Sequence, residues 1–113
     1  MPEENLIVQL TFQFALDIIV FAEMLEEQKK YNLARQLFRS GTSIGANVRE
    51  AQGAESKADF IHKMKIAYKE VEETEYWLSL CKHSRNYPNP DKLLADVQPI
   101  FKVIGKIIST SKK

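Results

Sequence analysis

Gln36 to Phe60 reads QLFRSGTSIGANVREAQGAESKADF, and its pattern decides the fold. Set on one α-helix from Leu33 to Ala54, the residues Leu33, Leu37, Ile44, Val48 and Ala51 recur at spacings of three, four or seven and form an apolar face. About a quarter-turn away, at roughly 100° per residue, run Gln36, Arg39, Ser43, Asn47 and Glu50, a polar stripe alongside the apolar one. Gly41 and Gly45 sit one turn apart inside this helix, where each costs up to about 1 kcal/mol relative to Ala. A neighbouring backbone that approaches closely offsets that cost, and Ser40, Gly41, Gly45 and Ala46 leave room for one. The spacing is best known from membrane helices, but Arg39, Asn47, Arg49 and Glu50 are incompatible with a lipid-facing span.

The run from Gln36 to Ala51, with Ser43-Ile44-Gly45-Ala46-Asn47 at its centre, resembles the signature of the four-helix-bundle family called 23S rRNA intervening-sequence proteins. Lys65-Ile66-Ala67-Tyr68-Lys69-Glu70 and Glu73-Thr74-Glu75-Tyr76-Trp77-Leu78 resemble that family's third helix, and the match covers roughly residues 10 to 108. The resemblance implies a left-handed four-helix bundle that assembles into a ring, a pentamer, with no assigned enzymatic activity. The chain is also similar in architecture to accessory proteins of diversity-generating retroelements, which are basic and handle nucleic acid.

With 113 residues the chain is expected to form a single domain, residues 1–113, near the size at which association adds useful burial. Gly and Pro number four each, too few for a loop-rich fold, and the lone Cys81 has no partner for an intrachain disulfide. The start, MPEENL, lacks the basic region of a secretory signal, and Asp17 and Glu23 interrupt the longest apolar stretch. A cytoplasmic protein without a membrane segment is expected. Net charge is +1 but uneven. Residues 1–30 set Glu3, Glu4, Asp17, Glu23, Glu26 and Glu27 against Lys29 and Lys30, whereas residues 86–113 set five lysines against Asp91 and Asp96. An acidic first helix and a basic last one attract each other, within or between subunits.

The first helix is expected from about Leu6 to Gln28 with Asn5 as its N-cap, its core stripe being Ile7, Leu10, Phe14, Ile18, Phe21 and Leu25. Leu16, Ile19, Val20 and Met24 widen the apolar surface beyond one stripe, as a thick core or a helix that also meets another subunit requires. Lys29 to Asn32 form a link, Gly53 ends the second helix, and Ser56 with Asp59 starts the third. Phe60, Met64, Ala67, Val71, Thr74, Leu78 and Cys81 alternate by four and three, the seam of a coiled-coil-like bundle. For the last helix Asn89 is the N-cap, Pro90 the first residue, and Leu94, Val97, Phe101, Ile104 and Ile108 the core set, broadened by Leu93, Ile100 and Ile107. Pro99 should kink it or delay its start. The expected architecture is all-α: an up-down-up-down, left-handed four-helix bundle.

Candidate chemistry is sparse. A di-iron bundle needs paired Glu-x-x-His motifs; Asp59-Phe60-Ile61-His62 is a distant imitation, and His83 has no acidic residue three before it, so neither metal nor cofactor is expected. Cys81 lies on the core seam, where thiols are inert. The strongest constellation is a polar network of Arg39, Ser43, Asn47, Glu50, Glu70 and Glu73. Arg39 and Glu70 lie at similar heights on antiparallel helices, which predicts a partly buried ion pair of Arg39 with Glu70 or Glu73 fixing helix register, or alternatively a polar pocket. A candidate nucleic-acid face comprises Arg35, Arg49, Lys57, Lys63, Lys65, Lys69, Lys102 and Lys106, with Tyr68 and Tyr76 as stacking groups. The sequence thus reads as a non-enzymatic, homo-oligomeric scaffold or adaptor, with an RNA- or DNA-binding module as the alternative and no small-molecule substrate indicated.

Overall fold

The computed structural model describes residues 2–112, with side chains from Leu6 onward. Four helices follow one another: α1 (Pro2–Glu27), α2 (Tyr31–Gln52), α3 (Lys57–His83) and α4 (Asp91–Ser111). Helix α1 begins earlier than expected, so Asn5 lies inside it, and that residue's side chain is outside the described ones. Each helix packs on its neighbour in sequence, α4 closes on α1, and no diagonal pair meets at the backbone among the described residues. The register is antiparallel throughout. Across α2 and α3, Arg39 meets Glu73 while Glu50 meets Lys63; across α3 and α4, Glu75 meets Gln98 while Lys82 meets Asp91. The partner moves back along one helix as it advances along the other, which makes the bundle up-down-up-down, 46 Å long and about 20 Å across.

The core follows the expected stripes on three helices, except that Leu10, Leu33 and Phe60 are only half-buried. Ile7, Phe14, Ile18, Phe21 and Leu25 of α1, Leu37, Ile44 and Val48 of α2, and Met64, Ala67, Val71, Thr74, Leu78 and Cys81 of α3 are buried. On α4 the buried stripe is Leu93, Val97, Ile100, Ile104 and Ile107, while Leu94, Phe101 and Ile108 are only half-buried. Phe101 instead meets Tyr68 edge to face at 5.0 Å, so the second apolar line of this helix covers the α3 seam. Pro99 neither delays nor interrupts α4. It sits on the exposed side with Ala95, so the carbonyl its missing N–H leaves free faces water.

The connections follow from backbone chemistry. Lys29 takes φ 64° and Lys30 N–H donates to the Leu25 carbonyl at 2.8 Å, closing α1 with a left-handed cap. Ser56 Oγ accepts the Asp59 N–H at 3.0 Å at the start of α3. At α4, Pro90 itself is the cap residue, one position later than expected, and Asn89 Oδ1 accepts the Asp91 N–H at 2.8 Å. Lys30 lies over the Tyr87 ring at 4.6 Å, tying the first corner to the third loop at the same end of the bundle.

Candidate functional site

The α2–α3 seam carries a polar ladder. Arg39 pairs with Glu73 and reaches Glu70 at 3.4 Å, and Trp77 Nε1 donates to the same Glu73 carboxylate at 2.9 Å. Beneath them, the Ser40 and Thr74 hydroxyls share a hydrogen bond of 2.9 Å, and Thr74 donates to the Glu70 carbonyl at 2.7 Å. Of the six residues read as one network, only Arg39, Glu70 and Glu73 come together. Glu50 pairs separately with Lys63 at 3.0 Å. Ser43 donates to the Arg39 carbonyl and Asn47 to the Ser43 carbonyl, bonds that stay within α2. Arg39 is 48% exposed whereas Glu70 and Glu73 are 18% and 34% exposed, so the carboxylates are partly buried and the guanidinium reaches them from the surface. Trp77, Ser40 and Thr74 complete the ladder; the sequence places Ser40 only among the small residues that admit a backbone and Thr74 only on the α3 seam, because hydroxyls at helical spacing carry no charge signal.

The opposite edge of α2 faces α1, and here backbone proximity replaces polar pairing. A Cβ built on Gly45 would lie 3.2 Å from the Thr11 carbonyl oxygen, and one on Gly41 would lie 2.7 to 3.0 Å from three side-chain carbons of Ile18. Outside this contact two shallow grooves run along the same seam. One, of about 460 Å³, is lined by Ala22, Glu26, Tyr31, Ala34, Arg35 and Phe38. The other, of about 270 Å³, is floored by Thr11, Ala15, Gly45 and Ala46 and edged by Phe12 and Arg49. Phe12 (57%), Leu16 (43%), Val20 (58%) and Phe38 (50%) stand exposed around them. By length and composition, Leu6–Glu27 is apolar enough to cross a membrane. In the bundle its inner side is taken up by α2 and α4, and the remaining apolarity is this outward stripe.

A bundle of this build, with its Ser-Ile-Gly-Ala-Asn core seated against the first helix, has relatives. The family model described as 23S rRNA-intervening sequence protein matches residues 3–109. The chain belongs to that family. Among solved structures, a Bacteroides thetaiotaomicron VPI-5482 protein of unknown function from the S23 ribosomal protein family superposes with a TM-score of 0.88. It is 39% identical, over 95% of this chain and 98% of that one. No curated protein matches.

The intervening-sequence bundle does not gather its basic candidates on one surface. Arg35 and Arg49 border the α1–α2 grooves, and Arg35 donates to Asn32 Oδ1 at 3.3 Å. Lys63 is engaged by Glu50, and Lys57 is exposed at the first residue of α3. Lys65 and Lys69 edge a groove on the far side, between α3 and α4, and Lys102 and Lys106 lie on the exposed face of α4. The α1–α2 and α3–α4 seams are opposite sides of the square, so the expected single face divides in two. His62 and His83 are both exposed, and no group of three or more His, Cys, Asp or Glu is placed to hold a metal among the described residues. Cys81 is buried, and burial pushes its thiol up to about 11, which leaves it protonated and unreactive near neutral pH.

Proposed function

We propose that this chain works without catalysis, as a self-associating helical bundle that serves as a scaffold or adaptor in the cytoplasm. The observation that carries the reading is the exposed apolar strip of Phe12, Leu16, Val20 and Phe38 around grooves floored by small residues. A lone bundle gains nothing from showing these side chains to water, whereas a second copy laid across α1 and α2 buries them. The rim suits a specific contact, since Glu26, Arg35 and Arg49 offer charge at the edge of an apolar centre. A ring of five, which the family resemblance implies, uses this strip as one half of each contact. Neither the family's name nor that of its solved relative describes a catalytic activity, and a buried, protonated lone thiol suits a reducing compartment.

Light scattering on the purified protein tests this. A ring of five gives about 65 kDa, five times 13.0 kDa. Phe12→Glu with Val20→Glu leaves the helical circular dichroism intact, because both side chains are exposed, and reduces the particle to a monomer. A monomeric wild type at 100 µM, roughly the upper range of weak association, overturns the proposal.

A further inference from the structure

The α3–α4 groove stands apart from the self-association strip and has its own chemistry. It is about 390 Å³, lined by Lys65, Tyr68, Lys69, Glu72, Gly105 and Ile108. The floor is apolar and aromatic and the rim is basic. Lys102, three residues before Gly105 and therefore on the same side of α4, adds a third exposed ammonium. Lys65, Lys69 and Lys102 pair with no carboxylate among the described residues, whereas Lys63, Lys82 and Lys92 on the same two helices do. Seven residues beyond Lys69, and so on the same face about 10 Å away, Tyr76 is 57% exposed, its ring held edge-on by Trp77.

Gly105 makes the groove more than a gap between side chains. Gly41 and Gly45 are required by packing, because a Cβ on either would press on α1. A Cβ on Gly105 would meet only Tyr68 Cε2, at 3.7 Å, which is ordinary contact. The helix therefore forgoes the better propensity of any residue but proline at a position where packing permits a Cβ, and the result is an uncovered Tyr68 edge.

We propose that this groove binds a segment of single-stranded nucleic acid, with a base over Tyr68 and Ile108, the next along the face on Tyr76, and phosphates on Lys65, Lys69 and Lys102. Three unpaired ammonium groups beside stacking surfaces are the elements of sequence-tolerant strand binding. Glu72 on the same rim repels any polyanion, but it can accept from base N–H groups, which acidic side chains lack, so a nucleic acid recovers part of that cost where an acidic peptide does not. The inference does not rest on self-association, which light scattering reads separately.

The test is fluorescence anisotropy of a labelled 15-nucleotide single-stranded RNA with the intact protein. With three phosphates engaged, log affinity falls against log salt with a slope of about −2, so binding weakens roughly 20-fold from 50 to 200 mM KCl. Lys69→Gln lowers that slope by about 0.7, and Tyr76→Ser weakens binding about tenfold. Gly105→Leu, which covers Tyr68, raises the melting temperature and abolishes binding; Gly105→Ala does the same to a lesser degree and serves if the larger side chain disturbs folding. Lys63→Gln with Lys92→Gln, two lysines already paired with carboxylates outside the groove, leaves affinity unchanged. No binding at 50 mM salt, a Lys63/Lys92 variant that loses as much as Lys69→Gln, or full affinity in the Gly105 variants overturns the proposal. Displacement of the RNA by poly-glutamate at equal charge concentration also overturns it and assigns the groove to an acidic protein segment instead.

Discussion

Helix α2 has two edges, and they are held by different physics. Toward α1, Gly41 and Gly45 let the helices touch at the level of the backbone, with the Thr11 carbonyl 3.2 Å from where a Gly45 Cβ would stand. Toward α3, Arg39, Glu70, Glu73 and Trp77 meet through the ends of long side chains, half in water. The first edge is specified by shape and cannot yield. The second is specified by charge, and its parts are replaceable in pairs. A bundle needs the rigid edge for a fixed helix separation and the polar edge for register, since only one sliding position of α3 brings two carboxylates to one guanidinium.

The contrast breaks most visibly at Gly41. Ile18 is β-branched and buried, with three carbons within 3.0 Å of the new Cβ, so it must shift, and in a helix its χ1 strongly favours one rotamer. Gly41→Leu destabilises by about 3 kcal/mol despite the better helix propensity, as overpacking at a rigid contact does. Combining it with Ile18→Ala recovers part of that loss, because the added volume fills the space the isoleucine leaves. Urea denaturation of the two singles and the double gives the coupling, and strictly additive losses would show that Gly41 and Ile18 do not share one space. Gly45→Leu is milder, about 1 to 2 kcal/mol, because its neighbour is a backbone carbonyl at 3.2 Å and the rest of the side chain opens onto the shallow groove beside Ala15 and Ala46. A Gly45→Leu variant as stable as wild type would remove the claim that the backbones need this approach.

How far the two edges could be read from residues alone follows from the same contrast. Gly41 and Gly45 are conspicuous inside a helix, so a close neighbour was legible, although nothing in the spacing says that the neighbour is α1. Arg39 and Glu70 share a height once the α2–α3 turn is placed near Gly53, so their meeting was legible too. Its depth was not. Exposure of an ion pair depends on which way each helix is rotated, and the rotation of α4 shows how easily that slips: Leu94, Phe101 and Ile108 carry the same apolar signal as Leu93, Ile100 and Ile107, yet only the latter three are buried. The basic residues failed for a simpler reason. A list of lysines and arginines has no geometry until the helices that bear them are set on opposite sides.

At the polar edge the expected effects are smaller. Arg39 is 48% exposed, and although Glu70 and Glu73 are only 18% and 34% exposed, Glu73 keeps the Trp77 N–H, so Arg39→Ala costs about 1 kcal/mol, below the several kcal/mol of a charge stranded in a dry core. The pair Arg39→Met and Glu70→Leu brings stability back to within a few tenths of a kcal/mol of wild type, and 1 M salt narrows the gap between wild type and the single variant. A loss near 3 kcal/mol for Arg39→Ala, or one that salt does not touch, would mean the ladder is drier than its exposure indicates and would erase the difference between the two edges.

The corner that joins α1 to α2 sharpens the comparison at the smallest scale. The rigid edge requires α1 to stop and reverse within Gln28 to Lys30, and the chain does this with Lys29 in the left-handed region, φ 64°. That conformation costs an L-residue about 1 kcal/mol or more, which glycine avoids, while glycine's extra freedom in the unfolded chain takes back about half of the gain. Lys29→Gly therefore stabilises by about 0.5 kcal/mol, a rise of some 2 to 4 °C in melting temperature for a domain of this size. Lys29→Asn gives a smaller rise, as asparagine tolerates the same region and already occupies the left-handed position Asn86 in the α3–α4 loop. Lys29→Ala is the control: it removes the same ammonium but keeps the strain, so its melting temperature stays near wild type. Equal gains from the glycine and alanine variants would assign the effect to charge, since Lys29 stands beside Lys30, and would show that this corner is not strained by the close seam it serves.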